Sequence, residues 1–174
     1  IVPQPSNQTS AIELRQKPFT IEAWLYQTST SGDQVLIDFR PTNTNGNYLN
    51  FVIASGSPRL HFASSNQATS SASLTVNTWH HVALTRDISS NPNKVRMYVD
   101  GIETVEVNVG VDFLTGTDRP VIAGLGYNTG LTGYSFKGYI QDFRISVGLA
   151  RYTLNDHSPS SSASIKIPDA PLKG

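Results

Sequence analysis

Residues 94–107 read KVRMYVDGIETVEV, and this stretch decides the fold. Val95, Met97 and Val99 alternate with Lys94, Arg96 and Tyr98 up to Asp100-Gly101, and alternation resumes from Ile102. A period of two marks a half-buried strand, whose successive side chains point to opposite faces. Asp-Gly between two such runs predicts a type I′ hairpin, because that turn needs positive φ at both central positions.

The same pattern extends in both directions from this hairpin. Upstream lie FTIEAWLY (19–26), VLIDFR (35–40), YLNFVIAS (48–55), RLHFAS (59–64), SLTV (73–76) and WHHVALTR (79–86); downstream lie PVIAGL (120–125) and FKGYIQDFRIS (136–146). Phe19, Ile21, Ala23 and Leu25 form one predicted core stripe, opposite Thr20, Glu22, Trp24 and Tyr26. Val35, Ile37 and Phe39 form a second, Leu49, Phe51 and Ile53 a third, and Leu60 with Phe62 a fourth. Ten to twelve strands in one chain must close into a barrel or split into two packed sheets, or their edges stay open. Polar segments such as PTNTNGN (41–47), SSNQATSS (64–71) and GYNTGLTG (126–133) read as loops.

Composition agrees with an all-β chain. With 174 residues the chain suits one domain, and its surface is built from 20 Ser, 16 Thr and 12 Asn, residues that favour strands and turns over helix interiors. Charged residues make up only 15%, and 13 basic residues balance 13 acidic ones. No basic cluster appears, which argues against nucleic acid or an anionic membrane as partner. No apolar run reaches the roughly 18 residues of a membrane span. There is no Cys, so no disulfide or thiolate metal site contributes; this leans towards a microbial or viral source. From His157 to Ala163 the chain is mostly Ser, so residues 1–159 are expected to form the domain and residues 160–174 a Ser/Pro-rich tail or linker.

Four segments in this order carry a family resemblance: FTIEAWLY (19–26), NTWHHVALTRD (77–87), VRMYVDGIE (95–103) and GYIQDFRISVGLARYT (138–153). Together they resemble the laminin G-like branch of the concanavalin A-like lectin/glucanase superfamily. The last looks most like versions in phage virion and bacterial surface proteins. The resemblance implies a jelly roll, a two-sheet antiparallel β-sandwich. It also implies a strand before the first segment; Ile1-Val2-Pro3 reads as its tail, in a domain of a longer chain.

Sandwich glycosidases of this superfamily carry Glu-x-Asp-x-Glu on one strand, which aligns the carboxylates on one face. No such string occurs: Glu103 and Glu106 differ by three, and Glu22 has no carboxylate two or four residues away. The chain therefore reads as a non-enzyme. His80 and His81 are adjacent on a strand and face opposite sides, so they do not chelate one ion together. Ca2+ is the cofactor that relatives make an option, with Asp112 and Asp118 bracketing one loop as its two carboxylates.

Expected ligand contacts are the aromatic and amide residues of the loops: Asn45, Asn47 and Tyr48 in one, Tyr127, Asn128 and Tyr134 in another. Trp24 and Tyr26 are added as candidates on an open concave sheet surface. Asp142 and Arg144 are expected to make a cross-strand ion pair or a hydrogen bond to a neighbouring loop. The expected function is binding of a glycan or cell-surface receptor within a larger virion protein (phage fibre or decoration) or cell-surface protein. The alternative is a structural virion domain that docks on neighbouring subunits, with homo-oligomerisation through the parent protein as an option. Either places the domain on a virion or outside the cell.

Overall fold

The Asp100-Gly101 hairpin forms as expected: φ is 50° at Asp100 and 82° at Gly101, and Val99 pairs with Ile102 across the turn. In the computed structural model, residues 12–89, 91–114, 116, 120–128, 132–152 and 166–169 are described. They contain ten strands: β1 (Phe19–Gln27), β2 (Asp33–Asp38), β3 (Asn50–Ala54), β4 (Ser57–Phe62), β5 (Ser65–Thr69), β6 (Trp79–Asp87), β7 (Lys94–Val99), β8 (Ile102–Asn108), β9 (Val121–Ile122) and β10 (Gly138–Val147). The helical content among these residues is one 3-10 turn, Thr132–Tyr134. The strands form two five-stranded antiparallel sheets, ordered β10-β1-β6-β7-β8 and β5-β4-β3-β2-β9. The expected two-sheet sandwich is therefore the fold.

The core stripes read from alternation meet between the sheets. Phe19, Ile21, Leu25, Val82, Leu84, Val95 and Met97 of the first sheet pack with Leu36, Ile37, Phe51, Ile53, Leu60 and Phe62 of the second, all nearly or fully buried. Burial of this apolar surface is the main stabilising term, at about 25 cal/mol per Å².

Three local readings need correction. A bulge in β2, where the pairing register shifts between Val35 and Ile37, breaks the expected Val35-Ile37-Phe39 stripe. Leu36, Ile37 and Phe39 enter the core, while Val35 turns outward to meet Val52 and Ala54. An extra residue in one strand reverses the side-chain parity beyond it. The SSNQATSS segment is not all loop, because Ala63 and Ser64 both take positive φ (50° and 61°) and fold residues 65–69 back on β4. SLTV lies outside the strands, although Leu74 is buried. The proposed boundary at residues 159 and 160 falls outside the described residues.

Candidate functional site

The outer face of the second sheet carries a depression of about 320 Å³. Register explains its lining. Val35, Val52 and Arg59 stand side by side in one cross-strand row, and Asp38, Asn50, His61 and Asn66 in the next. Val35 and Val52, joined by Leu125, give an apolar patch. Asp33, Arg40, Tyr127 and Tyr134 complete the lining. A few directed polar groups over an apolar surface, in a volume of at least roughly 300 Å³, are what small-molecule sites share.

Asp38 holds this arrangement together from below. Its side chain is fully buried and accepts from Arg40 Nε at 2.9 and 3.2 Å and from Arg40 Nη2 at 2.8 Å. It also accepts from the backbone N–H groups of Arg40 (3.0 Å), Gly126 (2.9 Å) and Tyr127 (3.3 Å). The carboxylate thus ties the 124–128 loop to β2. The Arg40 guanidinium in turn lies 5.2 Å from the centre of the Tyr127 ring, a cation–π contact that fixes both. Gly126 is required here, since a Cβ would fall 2.8 Å from the Arg40 carbonyl oxygen.

Two polar atoms of the lining residues lack protein partners. Asn50 is 3% exposed, and its Oδ1 accepts no hydrogen bond; buried His61 Nδ1 is likewise unpartnered. Buried polar atoms are nearly always satisfied, so the pair stands out at this depression, as Trp24 Nε1 and His81 Nδ1 do on the other sheet. Burial lowers the His61 pKa; Arg40 and Arg59 add to the effect, against the opposing pull of Asp38 and Asp33. The imidazole is therefore neutral near pH 7.

Of the residues expected at a site, the structure brings Tyr127 and Tyr134 to this depression, and Asn128 follows Tyr127 on the same loop. Asn45, Asn47 and Tyr48 are not among its lining residues. The Asn47 carbonyl accepts from Leu114 N–H at 3.0 Å, and Tyr48 packs against the main core. Their loop serves the site indirectly, through Asn43 N–H to the Tyr127 carbonyl at 2.8 Å. Asp112 pairs with Arg15 at 3.5 Å; Asp118 lies outside the described residues. Among the described residues no group of three or more His, Asp or Glu is arranged to hold a metal ion.

Trp24 and Tyr26 do occupy the outer face of the first sheet, but that face is not open at Trp24. Trp24 is 5% exposed and meets His81 edge-on, and Tyr26 is half-buried between Trp79 and Tyr139. The covering comes from the chain after β10. Arg151 N–H donates to Thr20 Oγ1 at 2.9 Å, and Tyr152 packs on Ala83 and Tyr98 with Ile167 beside them. Beneath it lies Glu22, which accepts from the Tyr152 hydroxyl and stands 3.3 Å from Arg144, 3.4 Å from His81 Nε2 and 3.5 Å from Arg151. Burial pulls the Glu22 pKa up, but His81, Tyr152 and the Arg144 charge outweigh it and hold the carboxyl below its ordinary value. Arg144 makes the expected cross-strand ion pair, with Glu22 as its partner in register. His80 and His81 are framework: Asp100 binds the His80 ring at 2.6 Å and the His81 backbone N–H at 2.9 Å.

Arg40, Asn50, Arg59 and His61 were missing from the candidates. A signal for them existed: Asn50, Arg59 and His61 occupy the positions that alternate with Leu49, Phe51, Leu60 and Phe62. Arg40 also followed the period, since Ile37 and Phe39 keep their expected inward places and leave Asp38 and Arg40 outward.

The sequence matches, over residues 4–148, the laminin G-type family described as the concanavalin A-like lectin/glucanases superfamily. No curated protein matches. Among solved structures, a protein from Bacteroides ovatus ATCC 8483 assigned as carbohydrate-binding aligns with 90% of this chain at a TM-score of 0.65 and 19% identity. The chain spans 45% of that protein's length. The CBM40 of the Ruminococcus gnavus IT-sialidase, bound to α2,3 sialyllactose, aligns with 75% of each chain (TM-score 0.59, 19% identity). Domains LG4-5 of the mouse laminin α1 chain align with 93% of this chain and 44% of theirs (TM-score 0.58, 16% identity). At such identities the likeness is one of fold. With the family match spanning most of its length, this chain belongs to the concanavalin A-like lectin/glucanase superfamily, as a laminin G-type domain.

Proposed function

We propose that the domain binds glycans, without catalysis, in the depression on the outer face of β2, β3 and β4. The observation that carries this reading is the depression itself, an apolar patch of Val35, Val52 and Leu125 flanked by Tyr127 and Tyr134 and ringed by Arg40, Arg59, His61 and Asn66. Sugar hydroxyls bond the polar side chains of the lining, and the C–H face of a pyranose fits the apolar patch and a tyrosine ring. The carbohydrate-binding modules among the fold relatives support the same use of this architecture. Catalysis is disfavoured by the surroundings of Glu22, a phenol, an imidazole and two guanidiniums that hold it ionised, where a general acid needs a raised pKa.

The proposed setting is the outside of a cell or virion, where glycans are met. The test is a glycan array followed by calorimetry on the hits. Tyr127→Ala is expected to weaken a hit at least about tenfold, and Tyr26→Ala on the other sheet to leave it unchanged. Absence of any hit, with or without Ca2+, would sink the proposal, as would release of reducing ends from a bound polysaccharide.

A further inference from the structure

We infer that the depression selects uncharged, hydroxyl-rich sugars and rejects those bearing a carboxylate or sulfate. The inference rests on the glycan-binding reading above and names its substrate class. Two guanidiniums line the site, which at first sight favours an acid. Both are already neutralised by the protein. Arg40 is engaged through Nε and Nη2 by Asp38, and Arg59 donates from Nη1 to Asp33 at 3.3 Å and from Nε to Thr69 at 3.3 Å. Two guanidiniums against two carboxylates leave the charge at zero, and His61 adds none while it is neutral.

The lining points the same way. Asp33 stands at the depression beside the guanidiniums and opposes an anion there, whereas a hydroxyl both donates to a lining oxygen and accepts from an arginine N–H that the aspartates leave over. Alternating fixed donors and acceptors with no net charge is the complement of a ring of hydroxyls.

The experiment uses the full chain and matched pairs of oligosaccharides at pH 7.5 and low salt: lactose with 3′-sialyllactose, and galactose-, glucose- and xylose-ended oligomers with their uronate or sulfate counterparts. In at least one pair the neutral member should bind, and its acidic counterpart at least about tenfold more weakly. Asp33→Asn, which frees Arg59 at a part-exposed position, should narrow that gap by raising affinity for the acid. An acidic member that binds as tightly as its neutral partner in the unmodified chain overturns the inference and leaves the glycan-binding reading standing. Silence from every pair removes that reading and this inference together.

Discussion

The two outer faces of the sandwich are built around the same device and put to opposite ends. Each has a buried carboxylate at its centre, Glu22 on the first sheet at 2% exposed and Asp38 on the second at 0%. Each carboxylate captures a segment from elsewhere in the chain and an aromatic residue with it: Tyr152 over Glu22, Tyr127 beside Asp38. On the first face the captured segment lies across the sheet, and Trp24, Ala83 and Tyr98 are sealed beneath or beside it. On the second, the captured loop stops at the rim. It leaves a depression with Asn50 and His61 short of partners. A polar sheet face thus becomes structure where a captured segment lies across it and a depression where that segment stops at the rim.

The largest expected effect separates the two hubs. Asp38→Ala leaves the Arg40 guanidinium, only 10% exposed, without its counter-charge, and releases the Gly126 and Tyr127 N–H groups. Breaking one side of a buried ion pair costs about 3–5 kcal/mol, and urea denaturation should show a loss in that range. Glycan binding should vanish with it. Glu22→Ala should cost less, about 2–3 kcal/mol, because Arg144 and Arg151 remain hydrated at 45% and 37% exposure. Binding should survive it. A Glu22 variant that stays folded but loses ligand would erase the distinction between the faces.

Glu22 also gives a pH signature. Its folded pKa lies below the ordinary value of 4.5, so the unfolded chain takes up the proton first as pH falls. The stability it contributes is complete above that value and is lost as pH drops through the lower folded pKa. Glu22→Gln should therefore lower stability most near pH 7.5 and least in acid, which flattens the acid limb of a stability profile. His61 acts in the same direction but in a higher pH range: its folded pKa is depressed by burial, so its neutral form is favoured in the fold. It withdraws stability as pH falls below the ordinary histidine range, and His61→Gln should remove that early loss.

How much of this was legible differs between the faces for a physical reason. Alternation records which side of a strand a residue takes, so the core stripes, the opposed His80 and His81, and the outward position of Trp24 were readable. Alternation does not record what lies over the outward side. Nothing local to Glu22 announces that residues near 150 will cover it, whereas Tyr127 was found because a turn-rich loop displays it. The Asp38–Arg40 pair escaped although alternation puts both residues outward, because alternation does not say that they bind each other or the 124–128 loop. β5 escaped because SNQAT is a polar edge strand with no stripe to bury.

A subtler variant sharpens the role of the rim loop. Gly126→Ala forces a Cβ to within 2.8 Å of the Arg40 carbonyl oxygen and about 3.4 Å of Asp38, so the loop must shift away from its hub. Overpacking of this kind costs about 1–3 kcal/mol. Because Tyr127 is the next residue, ligand affinity should fall further than stability alone accounts for. Calorimetry on the folded variant measures that directly. Unchanged affinity would mean that Tyr127 is not held for a ligand.

The smallest effect is expected at the turn that folds β5 back to flank the depression. Ala63 and Ser64 both sit at positive φ, 50° and 61°, where a side chain on L-backbone is disfavoured. At Asp100-Gly101 and Ser55-Gly56 the same two-residue reversal has Gly at its second position. Replacing Ala63-Ser64 by Asn-Gly relieves the mismatch and should stabilise the fold by about 1 kcal/mol, read as a rise in the urea midpoint at constant slope. Ligand affinity should not change, because Asn66 keeps its pairing with His61. If affinity falls instead, the strained turn is part of the site's shape, and the open face has been tuned at the expense of stability where the closed face was not.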